Sequence, residues 1–195
     1  MVDYKNFAGY LALIISFGSY VPYIKGILNN QIKPHAFSWL VWGLLTTIAF
    51  FGQLVGNAGA GAWVTASTAI ICFVVFVLSL FRGEKKFVLF DWHALIASFV
   101  ALILWVFTKN PLYSVILVTF IDALGFLPTF RKGYNKPEEE SSVLWIASAV
   151  KYTLGLIALK SYSVITWLFP ASLVVTNLAY VVMILYRRKQ LLTNI

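Results

Sequence analysis

Charge is what this chain has least of. Asp, Glu, Lys and Arg make up 11% of its 195 residues, against about a quarter in an ordinary soluble domain. Hydrophobic residues make up 61%. A soluble fold of this length has no way to hide so much apolar surface, so the class is a membrane protein. There is one cysteine, Cys72, inside an apolar run. It has no partner for an internal disulfide and reads as a small buried residue. The only histidines, His35 and His93, stand in separate segments, and no set of His, Cys or carboxylates has ligand spacing. No metal is assigned on that ground, and no cofactor is expected. Long loops are missing too, which leaves no room for a soluble domain. The glycines of "GLLTTIAFFGQLVGNAGAG" follow no strand, so they form a membrane helix and a tight turn rather than a phosphate loop. The first residues have no basic leader and no cleavage site, and read as a retained first helix. A net charge of +8 marks cytoplasmic loops in such a chain rather than nucleic acid.

What is present is a series of apolar runs. About 20 apolar residues cross a bilayer as helix, and seven runs qualify: Phe7–Ile27, Phe37–Val55, Ala60–Phe81, Phe90–Phe107, Leu112–Phe130, Ser142–Leu159 and Tyr162–Tyr186. With the N-terminus outside, the inner segments carry eleven basic residues, among them Lys25, Lys33, Arg82, Arg131, Arg187 and Arg188. The outer ones carry three, Lys5, Lys109 and Lys160. That bias predicts N-out, C-in.

The chain also repeats itself. Pro22 and Pro128 are 106 residues apart, as are Lys25 and Arg131. Pro34 and Pro137, Ser38 and Ser141, and Trp42 and Trp145 are each 103 apart. Val74 and Val75 stand 107 before Val181 and Val182. Each copy is a triple of helices, spans one to three and then five to seven. Three helices invert the second copy and the fourth span turns it upright. The expected fold is all-α, with seven transmembrane helices as two parallel three-helix bundles joined by a linker helix: 1–86, 87–110 and 111–195. A site is expected between the triples near mid-membrane.

"YVPYIKG" with "KPHAFSWLVWG", and "FLPTFRKG" with "KPEEESSVLW", give the plan three plus one plus three. In this the chain resembles the SWEET and PQ-loop transporters, whose half-size SemiSWEET relatives work as dimers of one triple. Where that family carries Pro-Gln, this chain has Pro22–Tyr23 and Pro128–Thr129; Ser38 and Ser141 fit the family's downstream serine. The last helix resembles the SemiSWEET third helix, with Pro170 and then Asn177 at the substrate-facing position. In copy one Ser67 or Thr68 stands in for that Asn. The resemblance implies transport by alternating access, with Pro22 and Pro128 as paired hinges.

Several residues stand out beside the resemblance. Proline weakens a helix where it removes a backbone bond, which suits Pro22 and Pro128. Pro34 and Pro137 instead follow a Lys and are expected to open helices. Glu138, Glu139 and Glu140 then fall in a first helical turn, where the dipole favours anions, and read as a solvated cap. Asp122 and Lys151 each lie about ten residues into a span, at mid-membrane. Charges at that depth cost several kcal/mol. Neighbouring antiparallel helices would pair them, either as a substrate or proton-coupling site or as a structural lock. Their counterparts in copy one are Ser16 and Ile48. Asn177 joins them as a buried amide in need of partners, and Ser16, Thr47 and Thr68 are the polar positions taken with them from copy one. The tryptophans near helix ends, Trp39, Trp42, Trp63, Trp145 and Trp167, read first as membrane-belt residues.

Together these features predict a transporter, not an enzyme, in the cytoplasmic membrane of a prokaryote. The substrate is a small polar solute: a sugar, an amino acid or a vitamin. Proton coupling through Asp122 and an oligomeric state are left open. The alternative is a receptor or sorting protein on the same body, as the KDEL receptors are; that needs a basic pocket on the outer side, where few lysines stand. A membrane enzyme ranks last, because Asp122 and Lys151 lack a third partner. A retinal pigment would need a Lys in span seven, and the only one, Lys189, stands past its apolar part.

Overall fold

The computed structural model describes residues 3–34, 36–83, 89–108, 110–135, 137–140 and 142–193. It is 89% helix, with no strand among the described residues. The α-helices are α1 (Tyr4–Leu28), α2 (Ala36–Val55), α3 (Trp63–Arg82), α4 (Leu89–Thr108), α5 (Pro111–Asn135), α6 (Ser142–Ile157) and α7 (Val164–Thr193). Among the described residues five stretches are long and apolar enough to cross a membrane: α1, α2, α3 with the turn before it, α5 and α7. Helix α6 is apolar but only 16 residues long, about 24 Å at 1.5 Å per residue.

Local chemistry sets the ends. Asp3 caps α1, its carboxylate accepting from the Lys5 backbone N–H at 3.2 Å. Pro111 opens α5, where its missing N–H costs nothing. Between α2 and α3 the chain turns through Asn57 (φ 58°) and Gly59 (φ 63°) into a short 3-10 turn, Gly59–Ala62. Large apolar side chains such as Phe7, Ile14, Phe51, Ile70, Val77 and Phe120 are exposed along the helices, the surface expected of a body solvated by lipid.

Helix α3 packs on both α1 and α2, and α7 packs on both α5 and α6. Each third helix therefore lies between the other two of its triple. Across the triples α1 packs on α6, and α2 on α5. Helix α4 packs on α5 and α2.

Burial follows the repeat. At an offset of 106, Ala8, Ala12 and Ser16 match Ser114, Val118 and Asp122, all buried. At 103, Leu45, Ile48 and Ala49 match Ser148, Lys151 and Tyr152, again all buried. The third helices correct the sequence reading. An offset of 107 would match Val75, which is buried, with Val182, which is 67% exposed. An offset of 105 matches buried with buried: Val64, Thr68, Cys72, Val75 and Ser79 with Phe169, Leu173, Asn177, Tyr180 and Ile184. The same offset carries Arg82, which donates to the Leu28 carbonyl, onto Arg187, which donates to the Tyr134 carbonyl at 3.2 Å. Leu28 and Tyr134 are themselves 106 apart.

The triples meet closely at the end holding the α2–α3 and α6–α7 connections. A Cβ on Gly61 would come within 2.5 Å of Leu159 and 2.8 Å of the Gly155 carbonyl oxygen. One on Gly155 would come within 2.5 Å of Val64. Only glycine allows this approach. The Lys160 N–H donates to the Ala58 carbonyl at 2.8 Å, and Gln53 donates to the Thr166 carbonyl at 2.9 Å, across the same junction. At the opposite end the aromatic rings cluster by triple: Tyr20, Tyr23, Trp39 and Trp42 in one, Phe126, Phe130, Trp145 and Tyr180 in the other. Trp39 is buried in its cluster, so it is a packing residue rather than a belt residue.

Candidate functional site

Ser16, Ser67, Thr68, Lys151 and Tyr152 gather in the interior on the α1, α3 and α6 side. Lys151 extends from α6 into the first triple and is 1% exposed. Its ammonium donates to Thr68 Oγ1 of α3 at 3.0 Å and reaches Ser16 Oγ of α1 at 3.4 Å. The rings of Tyr20 and Tyr152 each stand with their centroids 5.0 Å from Nζ, within cation–π range. Tyr152 donates its hydroxyl to Thr68 at 3.0 Å. Thr68 in turn donates to the Val64 carbonyl at 2.9 Å. Ser67 lies 2.9 Å from Ser16, oxygen to oxygen. An ammonium has three protons to give, and two are placed.

Helix geometry explains the gathering. Thr68 and Cys72 are one turn apart on the buried face of α3, and Ser16 and Tyr20 are one turn apart on α1. Lys151 and Tyr152 are adjacent on α6 and both buried, so they flank the same groove between α1 and α3.

Asp122 is 4% exposed, and its Oδ2 has no hydrogen-bond partner. No ion pair joins it to Lys151 among the described residues. Sequence neighbours are not space neighbours here: α7 lies between α5 and α6, so the expected pairing of adjacent helices does not form. The two charges still share one layer. Asp122 holds in the second triple the place Ser16 holds in the first, and Ser16 is the residue that touches Lys151.

Asn177 is 2% exposed; its amide donates to the Leu173 carbonyl at 2.6 Å, and its Oδ1 has no partner. In the corrected register it stands where Cys72 stands in copy one, not where Ser67 or Thr68 does. Thr47 is not part of the cluster. It is half-buried and bonds back to the Gly43 carbonyl at 2.6 Å.

Pro22 lies inside α1, which runs through it, and Pro128 falls within the span of α5. The expectation for the other two prolines needs correction. Pro34 is buried ahead of α2, which begins at Ala36, and His35 between them is outside the described residues. Pro137 opens a separate 3-10 turn, Pro137–Glu139, and α6 starts only at Ser142, with no acidic residue in its first turn. The glutamates therefore do not lie in the first turn of α6. Arg188 takes the carbonyls of this segment instead, donating to Pro137 at 2.9 Å and to Glu140 at 2.5 Å. Ser141, Lys85, Lys86, Lys109 and Lys136 are outside the described residues.

Sequence reasoning missed Tyr20 and Tyr152, while Cys72 is buried and free, as its apolar run suggested. Tyr152 carried a signal, as the aromatic neighbour of an intramembrane lysine. Tyr20 carried one only through knowledge that α1 packs on α6.

No protein-family model, curated protein or solved structure matches this chain.

Proposed function

We propose that the chain is a small-molecule membrane transporter of the SWEET-like plan. Seven helices span the membrane as two parallel triples joined by α4, N-terminus out and C-terminus in. The triples rock against each other about Pro22 and Pro128 and open the polar layer to one side at a time. Lys151 supports this reading most directly. A buried lysine at mid-bundle carries a steep insertion cost, yet no carboxylate lies against it among the described residues. It is held by two hydroxyls and two rings. Those partners belong to the first triple except Tyr152, so the lysine sits on the boundary that rocking would shear. A structural lock would be expected to close on a carboxylate. A ligand anchor leaves a proton to give.

The test is uptake by the purified chain in proteoliposomes, across sugars, amino acids and vitamins, at two pH values. Saturable uptake that Lys151→Met abolishes is the expected result. Uptake that also requires a proton gradient would assign the coupling to Asp122. Binding without uptake would move the chain to the receptor class, and silence across the panel would overturn the transport reading. Orientation is checked separately. On a Cys72→Ser background, a cysteine at Lys5 should label from outside and one at Lys189 only after permeabilisation.

A further inference from the structure

Two opposite charges are buried in one layer of this bundle without meeting. The Lys151 ammonium has one proton unplaced after Thr68 and Ser16. The Asp122 carboxylate has an oxygen with no partner at all. They belong to helices that α7 separates, and they occupy equivalent levels on opposite sides of the pseudo-twofold axis, because Asp122 stands in the place of Ser16. No ion pair joins them among the described residues, so the gap between them is longer than such a contact. A buried charge is stable when paired and costly when not.

We propose that this gap is the seat of a small zwitterion, its carboxylate on Lys151 and its ammonium on Asp122. The assignment rests on the transport reading above and adds the substrate class to it. A neutral sugar would satisfy hydroxyls but leave both charges unmet. A simple anion would meet Lys151 and leave Asp122, and a simple amine the reverse. Only a solute carrying both, in that order, completes both groups in one step. The surroundings fit the ends of such a solute. At the lysine end Tyr20 and Tyr152 wall the ammonium with ring faces. Around the second triple's third helix the Asn177 Oδ1 and Ser172 hydroxyl oxygens are buried and unpartnered, and an acceptor such as Oδ1 suits an alkylammonium. The carboxylate is directed to the α1, α3 and α6 groove because the only buried lysine among the described residues is there.

A chain-length series reads the gap directly. Glycine, β-alanine, γ-aminobutyrate and δ-aminovalerate separate the same two charges by increasing distance. Butyrate, butylamine and glucose are the one-charge and no-charge controls. Thermal shift of the purified full chain should respond to the amino acids and peak at one length, at least tenfold tighter than butyrate or butylamine. Lys151→Met should erase the preference over butylamine, and Asp122→Asn the preference over butyrate. Should either variant fail to fold, the wild-type ranking alone decides. A zwitterion response no stronger than the one-charge controls, or no response to any zwitterion, overturns the assignment. Uptake of glucose with silent zwitterions would sink it while leaving transport standing. Zwitterion binding without uptake would do the reverse.

Discussion

Arg187 gives its guanidinium to the carbonyl of Tyr134 at 3.2 Å, at the place where α5 runs out of helical partners. Arg82 does the same for Leu28 at the end of α1. The last carbonyls of a helix have no intrahelical donor, and a cation there also answers the negative end of the helix dipole. Each triple thus ties its third helix to its first with one arginine. Arg82→Ala and Arg187→Ala should each cost about 0.5–1 kcal/mol. Because the two sites share no partner, the double variant should be additive within about 0.5 kcal/mol. Thermal unfolding in detergent reads both, and an unchanged midpoint in either single variant would show that this cap is idle.

The glycine seam makes a second prediction. Gly61→Ala must push against the Gly155 carbonyl and Leu159, and Gly155→Ala against Val64. Backbone yields less readily than a side-chain tip. Overpacking costs about 1–3 kcal/mol, with Gly61→Ala the worse because its obstacle includes backbone. Equal stability of both variants with the parent would mean the triples do not meet as closely as described.

Lys151 and Asp122 invite a double-mutant cycle. Breaking one half of a buried ion pair costs about 3–5 kcal/mol, and removing the second half restores much of it. Here no pair exists, so Lys151→Met should be neutral or stabilising. Thr68 and Ser16 keep other hydrogen-bond options, and methionine fills the volume. The coupling between Lys151→Met and Asp122→Asn should stay under about 1 kcal/mol. A coupling of several kcal/mol would restore the structural lock.

Pro22 offers the fourth test. The ring removes a helical hydrogen bond inside α1. If it serves as a hinge, Pro22→Ala should raise the unfolding midpoint and slow uptake together. A variant that is more stable and equally fast would make Pro22 an ordinary helix exit.

Much of this fold could be read before any coordinates. Five of the seven expected spans recur, among the described residues, as helices long and apolar enough to cross a membrane, and most of the expected boundaries fall within a few residues of the helices. The offsets of 106 and 103 were readable because Pro22, Trp42 and their counterparts are rare residue types at fixed places. The third-helix offset was misread for a physical reason. Val74, 44% exposed, and Val182, 67% exposed, face outward, where any apolar residue serves and similarity says nothing about register. The buried positions that do set it, Cys72 against Asn177 and Val75 against Tyr180, share no chemistry. The Asp122–Lys151 pairing failed because order along the chain was taken for order in space. Arg82, Arg187 and Arg188 were counted as inner charges, and nothing in a count reveals that they cap their own triples and the turn beside them.

The unequal filling of equal places has one more consequence. Two identical copies of the second triple would bring Asp122 of each against Lys151 of the other, because Asp122 stands where Ser16 meets Lys151, and both charges would be spent on each other. Joining the copies through α4 lets one half keep serine and isoleucine where the other acquired aspartate and lysine. On the zwitterion assignment, a guest held by such a frame would have a head and a tail. It would lie in only one of two directions, and an architecture nearly indifferent to left and right would tell them apart.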